Sequence, residues 1–264
     1  MATTPLHDAL GIPRPGAAMS TAGGGVVLAT VGGGGKTTLL FALAAERAAD
    51  RGDDSVGVLT TTTKFTVPKS AEAFPTVLAT NPLVRAAAIA DARGRGLPTV
   101  LVASGRGDRG RLLGVEPGWP AEALGIDGVA FVGVEADGAA GRPFKAPASH
   151  EPVIPDRATH VVAVVGVEAL GARLDPRRVQ RPERVSALTG AAEGAEVTAA
   201  MIGAVLSHAG GGRKGMPADA EFLVAVTRAG RDVAGARAIG AACRERGVVR
   251  VVAWDATEGV IEVV

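Results

Sequence analysis

The stretch Val26-Val27-Leu28-Ala29-Thr30-Val31-Gly32-Gly33-Gly34-Gly35-Lys36-Thr37-Thr38-Leu39-Leu40 decides the fold. It opens as a β-branched apolar run, turns on four glycines, and continues with Leu39, Leu40, Leu43 and Ala44 on one side of a helix. That strand–loop–helix order is what a phosphate-binding P-loop needs. Glycines let the backbone curl so that amides point at phosphate oxygens, and the helix start adds partial positive charge. The expected nucleotide-binding set is Gly32, Gly33, Gly34, Gly35, Lys36, Thr37 and Thr38. Lys36 would reach the outer phosphates and act catalytically, and the Thr37 hydroxyl would ligate Mg2+.

Two alternatives bear on this loop. The longer pattern G-x-x-x-x-G-K-[ST] has Thr30 at its first position, so the loop is a short variant, Gly-x-Gly-Gly-Lys-Thr. Glycine also supplies 37 of the 264 residues, and a glycine loop can arise from composition alone. Its place between strand and helix favours the functional reading. A dinucleotide fingerprint fails, because Thr37 or Thr38 stands where G-x-G-x-x-G needs its third glycine.

Outward from the loop, β-branched runs alternate with Ala/Leu-rich stretches. Strands are expected at Val26–Val31, Val56–Thr61, Thr99–Ala103, Val129–Glu135, His160–Val165, Phe222–Thr227 and Val248–Ala253. They are apolar on both faces, as parallel strands covered by helices are. Helices are expected at Thr38–Asp50, Pro82–Arg93, Glu196–His208 and Val233–Arg246. The pattern predicts an α/β fold of the P-loop NTPase-like kind: a doubly wound, mostly parallel sheet with helices on both faces. A single domain over 1–264 is expected, with a small helical insertion around 166–194. Gly210–Pro217 reads as a loop rich in glycine with two basic residues.

Composition excludes several classes. Lys and Arg number 28 against 27 Asp and Glu, so no basic field argues for nucleic acid. Six Phe, two Trp and no Tyr leave few stacking platforms for single strands. The one cysteine, Cys243, rules out an internal disulfide and a Cys-based zinc site, and reads as a small buried apolar residue. Met1 to Ala18 lacks the pattern of a signal peptide, and no apolar run approaches the ~20 residues that span a bilayer. A cytoplasmic protein with no membrane partner is the expectation.

Other elements converge on the phosphate edge. The Val129–Glu135 strand runs into Glu135-Ala136-Asp137-Gly138. An acid at the carboxyl end of a core strand lies beside a P-loop. Asp137 is the candidate Mg2+ partner, and Glu135 a second candidate, for metal or for polarising water. The bland reading of both is a strand-end turn. Thr60–Thr63 and Lys64 close another strand: Thr62 is a candidate for metal or the terminal phosphate, and Lys64 for neutralising charge during transfer. Arg142 and Lys145 are candidates to clamp an anionic substrate, and His150 and Glu151 for acid–base or metal chemistry. Each is, taken singly, an ordinary loop residue. His7, His160 and His208 lack ligand spacing.

Together, Val31–Thr38, Leu59–Lys64, the block Val134–Pro155 (Val-Glu-Ala-Asp-Gly-Ala-Ala-Gly-Arg-Pro-Phe-Lys-Ala-Pro-Ala-Ser-His-Glu-Pro-Val-Ile-Pro) and Val164-Val165-Gly166 resemble the YqeC-type accessory proteins of selenium-dependent molybdenum hydroxylases. The resemblance spans most of the chain. It implies a P-loop fold and a part in maturing such a hydroxylase, with that enzyme or its cofactor-loading machinery as partner. Carried over by position, it assigns phosphates to Gly33, Gly34, Gly35, Lys36 and Thr37, a switch-like segment to Thr61, Thr62 and Lys64, and an acidic and basic block to Glu135, Asp137, Lys145, His150 and Glu151. Related sequences carry a His-Arg pair where this one has Gln180-Arg181. Where many P-loop GTPases read guanine with Asn-Lys-x-Asp, this chain has Thr227-Arg228-Ala229-Gly230. ATP is therefore at least as good a ligand as GTP.

Three functions follow from this reading. The first is Mg2+-dependent hydrolysis of ATP or GTP in hydroxylase maturation. The second is a small-molecule kinase or ligase with its acceptor near residues 142–151. The third is a nucleotide-gated partner-binding module without catalysis.

Overall fold

The computed structural model describes residues 4–13, 25–49, 55–67 and 74–264. Among the described residues, nine strands form the main sheet. From edge to edge they are Gly259–Val263, Arg250–Asp255, Glu221–Thr227, His160–Gly166, Val26–Gly32, Val129–Glu135, Val56–Thr61, Thr99–Ala103 and Thr76–Leu78. All neighbours run parallel except the first two, which are antiparallel. The chain is thus α/β, with a large, mostly parallel sheet flanked by helices.

Successive side chains of a strand point to opposite faces, and both faces are covered. Val27, Ala29 and Val31 turn to a core shared with Ile89, Val185, Ile202 and Ile239 of four helices, Pro82–Gly94, Pro182–Thr189, Ala199–Ser207 and Val233–Arg244. Val26 and Leu28 turn the other way, onto Leu39, Leu40 and Leu43 of the Lys36–Ala49 helix and Leu6 and Leu10 of the short Leu6–Leu10 helix. Strands buried on two faces explain why the sequence shows runs of Val and Leu rather than alternation. Helix starts are locally specified. Asn81 accepts a hydrogen bond from Leu83 N–H at 2.8 Å before Pro82, and Asp232 accepts from Gly235 N–H at 2.8 Å.

Observed ends differ from the expected ones by a few residues. The last parallel strand is Arg250–Asp255 rather than Val248–Ala253, because Gly247, at φ 77°, places Val248 and Val249 in the turn out of the preceding helix. The helix expected from Thr38 starts at Lys36. Its expected end, Asp50, lies outside the described residues, as do residues 1–3 and 14–18 of the amino-terminal stretch. Two edge strands were not anticipated. Thr76–Leu78 is short and part-exposed, and Gly259–Val263 returns antiparallel after a turn in which Asp255 accepts from Thr257 N–H at 3.0 Å. Two small sheets were also missed. Lys64–Phe65, Leu112–Leu113 and Gly105–Arg106 form one, and Phe144–Lys145 pairs with Val179–Gln180 in the other. The segment 166–194 carries the Pro182–Thr189 helix, and its Val167, Leu174, Val179 and Val185 belong to the main core. Among the described residues no helix is long and apolar enough to cross a membrane.

The Val26–Gly32 strand sits between Val129–Glu135 and His160–Gly166. From it the chain first goes one way, to Val56–Thr61, and later strands fill the other side. Such a reversal opens a crevice at the carboxyl ends of the strands.

Candidate functional site

Gly32 to Gly35 follow the Val26–Gly32 strand into that crevice. The first three are dictated by close backbone approach. A Cβ on Gly32 (φ 95°) would lie 2.4 Å from the Val164 carbonyl oxygen, and one on Gly34 (φ 78°) 2.2 Å from the Gly166 nitrogen. Gly33 N–H donates to Val164 O at 2.9 Å and Gly34 N–H to Arg142 O at 3.0 Å. Leu39 N–H donates to Gly35 O at 3.0 Å and so starts the helix ladder. The amides of Gly35, Lys36, Thr37 and Thr38 therefore have no intrahelical partner. All four residues border a cavity of about 520 Å³. Amides and helix dipole together favour an anion there.

Glu135 ends its strand opposite Thr30, which places its carboxylate beside the helix start. Thr37 Oγ1 donates to Glu135 Oε2 at 2.5 Å, and both residues face the cavity. Burial pushes the Glu135 pKa above the ordinary range. The Lys36 charge and the Thr37 hydrogen bond oppose that shift without cancelling it.

Asp137 is not on the cavity wall. It is 1% exposed and accepts from Gly32 N–H at 3.0 Å, with Lys145 Nζ 3.0 Å from the same oxygen. Lys36 Nζ lies 3.1 Å from the other oxygen, a charge contact without hydrogen-bond alignment, and donates to Gly32 O at 2.6 Å. Burial alone would lower the Lys36 pKa, but Asp137 and then Glu135 outweigh it and hold it raised. Lys145 also donates to Glu151 Oε2 at 2.7 Å and to Gly138 O at 2.7 Å. Arg181 grips Glu151 with two hydrogen bonds, 2.8 and 3.2 Å. An unbroken ion ladder thus runs Lys36–Asp137–Lys145–Glu151–Arg181, from behind the glycine loop to the cavity wall. Burial would raise the Glu151 pKa, but Lys145 and Arg181 hold it below the usual carboxylate range.

The remaining expected residues divide. Lys64, Arg142 and Glu151 face the cavity with Gly34, Gly35, Lys36, Thr37 and Thr38. Gly32, Gly33, Thr62, Asp137, Lys145 and His150 do not line it. Thr62 Oγ1 instead donates to Val153 O at 2.6 Å, and His150 is an exposed turn residue. The loop Gly210–Pro217 braces the segment that carries Glu151. Its Lys214 Nζ donates to the carbonyls of Ala148, Ser149 and Glu151 at 2.5, 2.7 and 2.6 Å. Three cavity cations were not among the expected site residues: Arg111, and Arg181 and Arg228, which the sequence offered only as departures from related patterns. Arg228 directly follows a parallel strand, so the carboxyl-end rule could have found it. Arg181 (φ 62°), Arg228 (φ 55°) and Ala140 (φ 48°) border the cavity in left-handed backbone conformations that non-glycine residues seldom adopt. Arg111 carries no local sequence signal.

Magnesium is the ion that the motif implies. The Thr37 hydroxyl and Glu135 carboxylate, hard oxygens side by side at the cavity edge, suit an ion that keeps waters and phosphates as its other ligands. Asp137, held by two lysines, does not. Among the described residues no cluster of three or more His, Cys, Asp or Glu is placed to hold a metal alone.

The model of the family described as YqeC protein matches residues 28–183, more than half of the chain. The chain belongs to the YqeC family. The match takes in the glycine loop, Glu135, Asp137, Lys145, Glu151 and Arg181. Over 84 residues the chain is 37% identical to a protein of Escherichia coli K12 named "Uncharacterized protein YqeC". That alignment covers 32% of this chain and 33% of the relative, so the chain spans about a third of the length of the curated relative it matches. No solved structure matches it.

Proposed function

We propose that this YqeC-family protein binds a Mg2+·nucleoside triphosphate in the cavity and hydrolyses it slowly as an accessory factor. The carrying observation is the Thr37–Glu135 hydrogen bond of 2.5 Å at a helix start whose free amides face a cation-rimmed cavity. Phosphate oxygens would take the amides of Gly35, Lys36, Thr37 and Thr38. Lys36 would leave Gly32 O and Asp137 for the outer phosphates, and Lys145 would remain to balance Asp137. Thr37 and Glu135 would hold the magnesium, which supplies charge neutralisation on the phosphates when bound. Arg142, Arg181 and Arg228 would steady the polyphosphate. Both carboxylates that line the cavity, Glu135 and Glu151, are already engaged, which fits slow turnover awaiting a partner protein. ATP and GTP are both accommodated by this reading. The role in maturing a selenium-dependent molybdenum hydroxylase rests on the family resemblance alone.

Thermal unfolding with Mg2+ and ATP, GTP or CTP, in wild type and Lys36→Ala, tests the site. A ligand at a hundred times its Kd stabilises the native state by about 2.7 kcal/mol. A shift present in wild type and lost in Lys36→Ala supports the reading and identifies the base. No shift with any triphosphate ends it.

A further inference from the structure

Besides Lys36, five cations among the described residues face the cavity: Lys64, Arg111, Arg142, Arg181 and Arg228. Three are already engaged. Arg142 donates to Pro176 O at 2.5 Å, Arg181 holds Glu151, and Arg228 is paired with Glu168. Lys64 and the Arg111 side chain have no hydrogen bond or ion pair to any described residue, and the buried Arg111 Nε has no partner. A half-buried guanidinium without an acceptor carries a desolvation cost that an oxyanion would offset.

The two residues are brought together by strand pairing. In the small antiparallel sheet Lys64 lies opposite Leu113 and Phe65 opposite Leu112. Thr66 directly follows Phe65, Arg111 directly precedes Leu112, and both line the cavity. Alternation then sorts the side chains. Phe65 and Leu112 enter the core under the Lys36–Ala49 helix, while Lys64 and the flanking residues Thr66 and Arg111 line the cavity. The Val56–Thr61 strand that leads into this sheet lies two places from the glycine-loop strand, roughly 10 Å away at ordinary strand spacing. A group held here would sit beside the nucleotide phosphates, not on the amides that receive them.

We propose that Lys64, Thr66 and Arg111 form a second anion subsite for a tetrahedral oxyanion of the phosphate class, carried by a co-substrate. A hydroxyl, an ammonium and a guanidinium match an anion with three or more oxygens better than a carboxylate with two. This subsite rests on the nucleotide reading of the glycine loop, and it gives the cavity two ligands.

The test is calorimetric titration of inorganic phosphate into protein saturated with Mg2+·AMP-PNP, for wild type, Arg111→Ala and Arg111→Lys, each checked for folding by its melting curve. Phosphate should bind the loaded wild type. Arg111→Ala should weaken it at least ~10-fold and leave AMP-PNP affinity within about twofold, with Arg111→Lys between. Acetate at equal concentration should not displace the phosphate. The subsite is overturned if loaded wild type takes no phosphate, if acetate competes equally, or if Arg111→Ala weakens AMP-PNP as much as phosphate. Failure of the nucleotide reading looks different: wild type then binds no AMP-PNP. Phosphate titrated into the unliganded protein decides in that case. Loss in Arg111→Ala but not in Lys36→Ala supports the subsite, and retention in Arg111→Ala sinks it.

Discussion

Lys36 Nζ lies 3.1 Å from Asp137 Oδ1 and donates to Gly32 O at 2.6 Å, so the lysine of the glycine loop is folded back into its own strand end. With Lys145 on the other carboxylate oxygen, Asp137 balances two buried ammonium groups. Removing one member of such a set leaves charge uncompensated. Asp137→Asn should therefore lower stability by about 3–5 kcal/mol. Urea unfolding reads this directly. A loss under ~1 kcal/mol would mean that the ladder contributes little to the fold.

The raised pKa of Glu135 sets a pH signature. Its folded form prefers the proton, so the stability it contributes is present below the ordinary glutamate range. That stability is lost as pH rises through the elevated value. Glu135→Gln should therefore gain on wild type as pH rises above about 4.5, the ordinary glutamate value. Urea midpoints of the two proteins, measured across pH in the absence of nucleotide, check it. A difference that does not vary with pH would refute the assignment. The same variant should lose Mg2+-dependent nucleotide binding, because the amide cannot replace the carboxylate on the ion.

Cys243 is fully buried on the helix Val233–Arg244, and burial pushes its thiol up to about 12. The native thiol should resist alkylation at pH 8 and react only as the protein opens. Iodoacetamide labelling along a urea titration should then follow the unfolding curve. Fast labelling without urea would contradict the packing.

The sheet was legible because its central strands are buried on both faces and read as apolar runs of the right length, as at Val129–Glu135 and His160–Gly166. Thr76–Leu78 was not, since three residues with Thr76 and Leu78 exposed leave no period to detect. In the site, Glu135 and Asp137 are two residues apart and chemically alike in sequence. Only the fold separates them. Asp137 accepts the Gly32 amide and is ion-paired with two lysines, while Glu135 meets Thr37 at the cavity. Arg111 became visible only through the antiparallel pairing of Leu112 with Phe65, which brings the residues flanking that pair to the cavity. Lys145, a candidate substrate clamp on sequence, turns inward because Asp137 and Glu151 flank it.

The glycines separate by what a Cβ would meet, and this yields the last prediction. Both Gly34 (φ 78°) and Gly35 (φ 113°) occupy backbone conformations that alanine resists, at roughly 1–3 kcal/mol each. They differ in surroundings. A Cβ on Gly34 would collide with backbone, 2.2 Å from the Gly166 nitrogen and 2.8 Å from Pro143 O. For one on Gly35 the nearest atoms belong to the Thr227 side chain, from 3.4 Å outward. Gly34→Ala should accordingly cost clearly more stability than Gly35→Ala, because the loop must lift off the His160–Gly166 strand end. Gly35→Ala should fold with a modest loss while its Cβ narrows the cavity beside the free amides, so triphosphate binding should fall further than stability does. Paired melting curves with and without Mg2+·ATP distinguish the two effects. Equal destabilisation by both substitutions would show that the close approach at Gly34 is not what requires a glycine there.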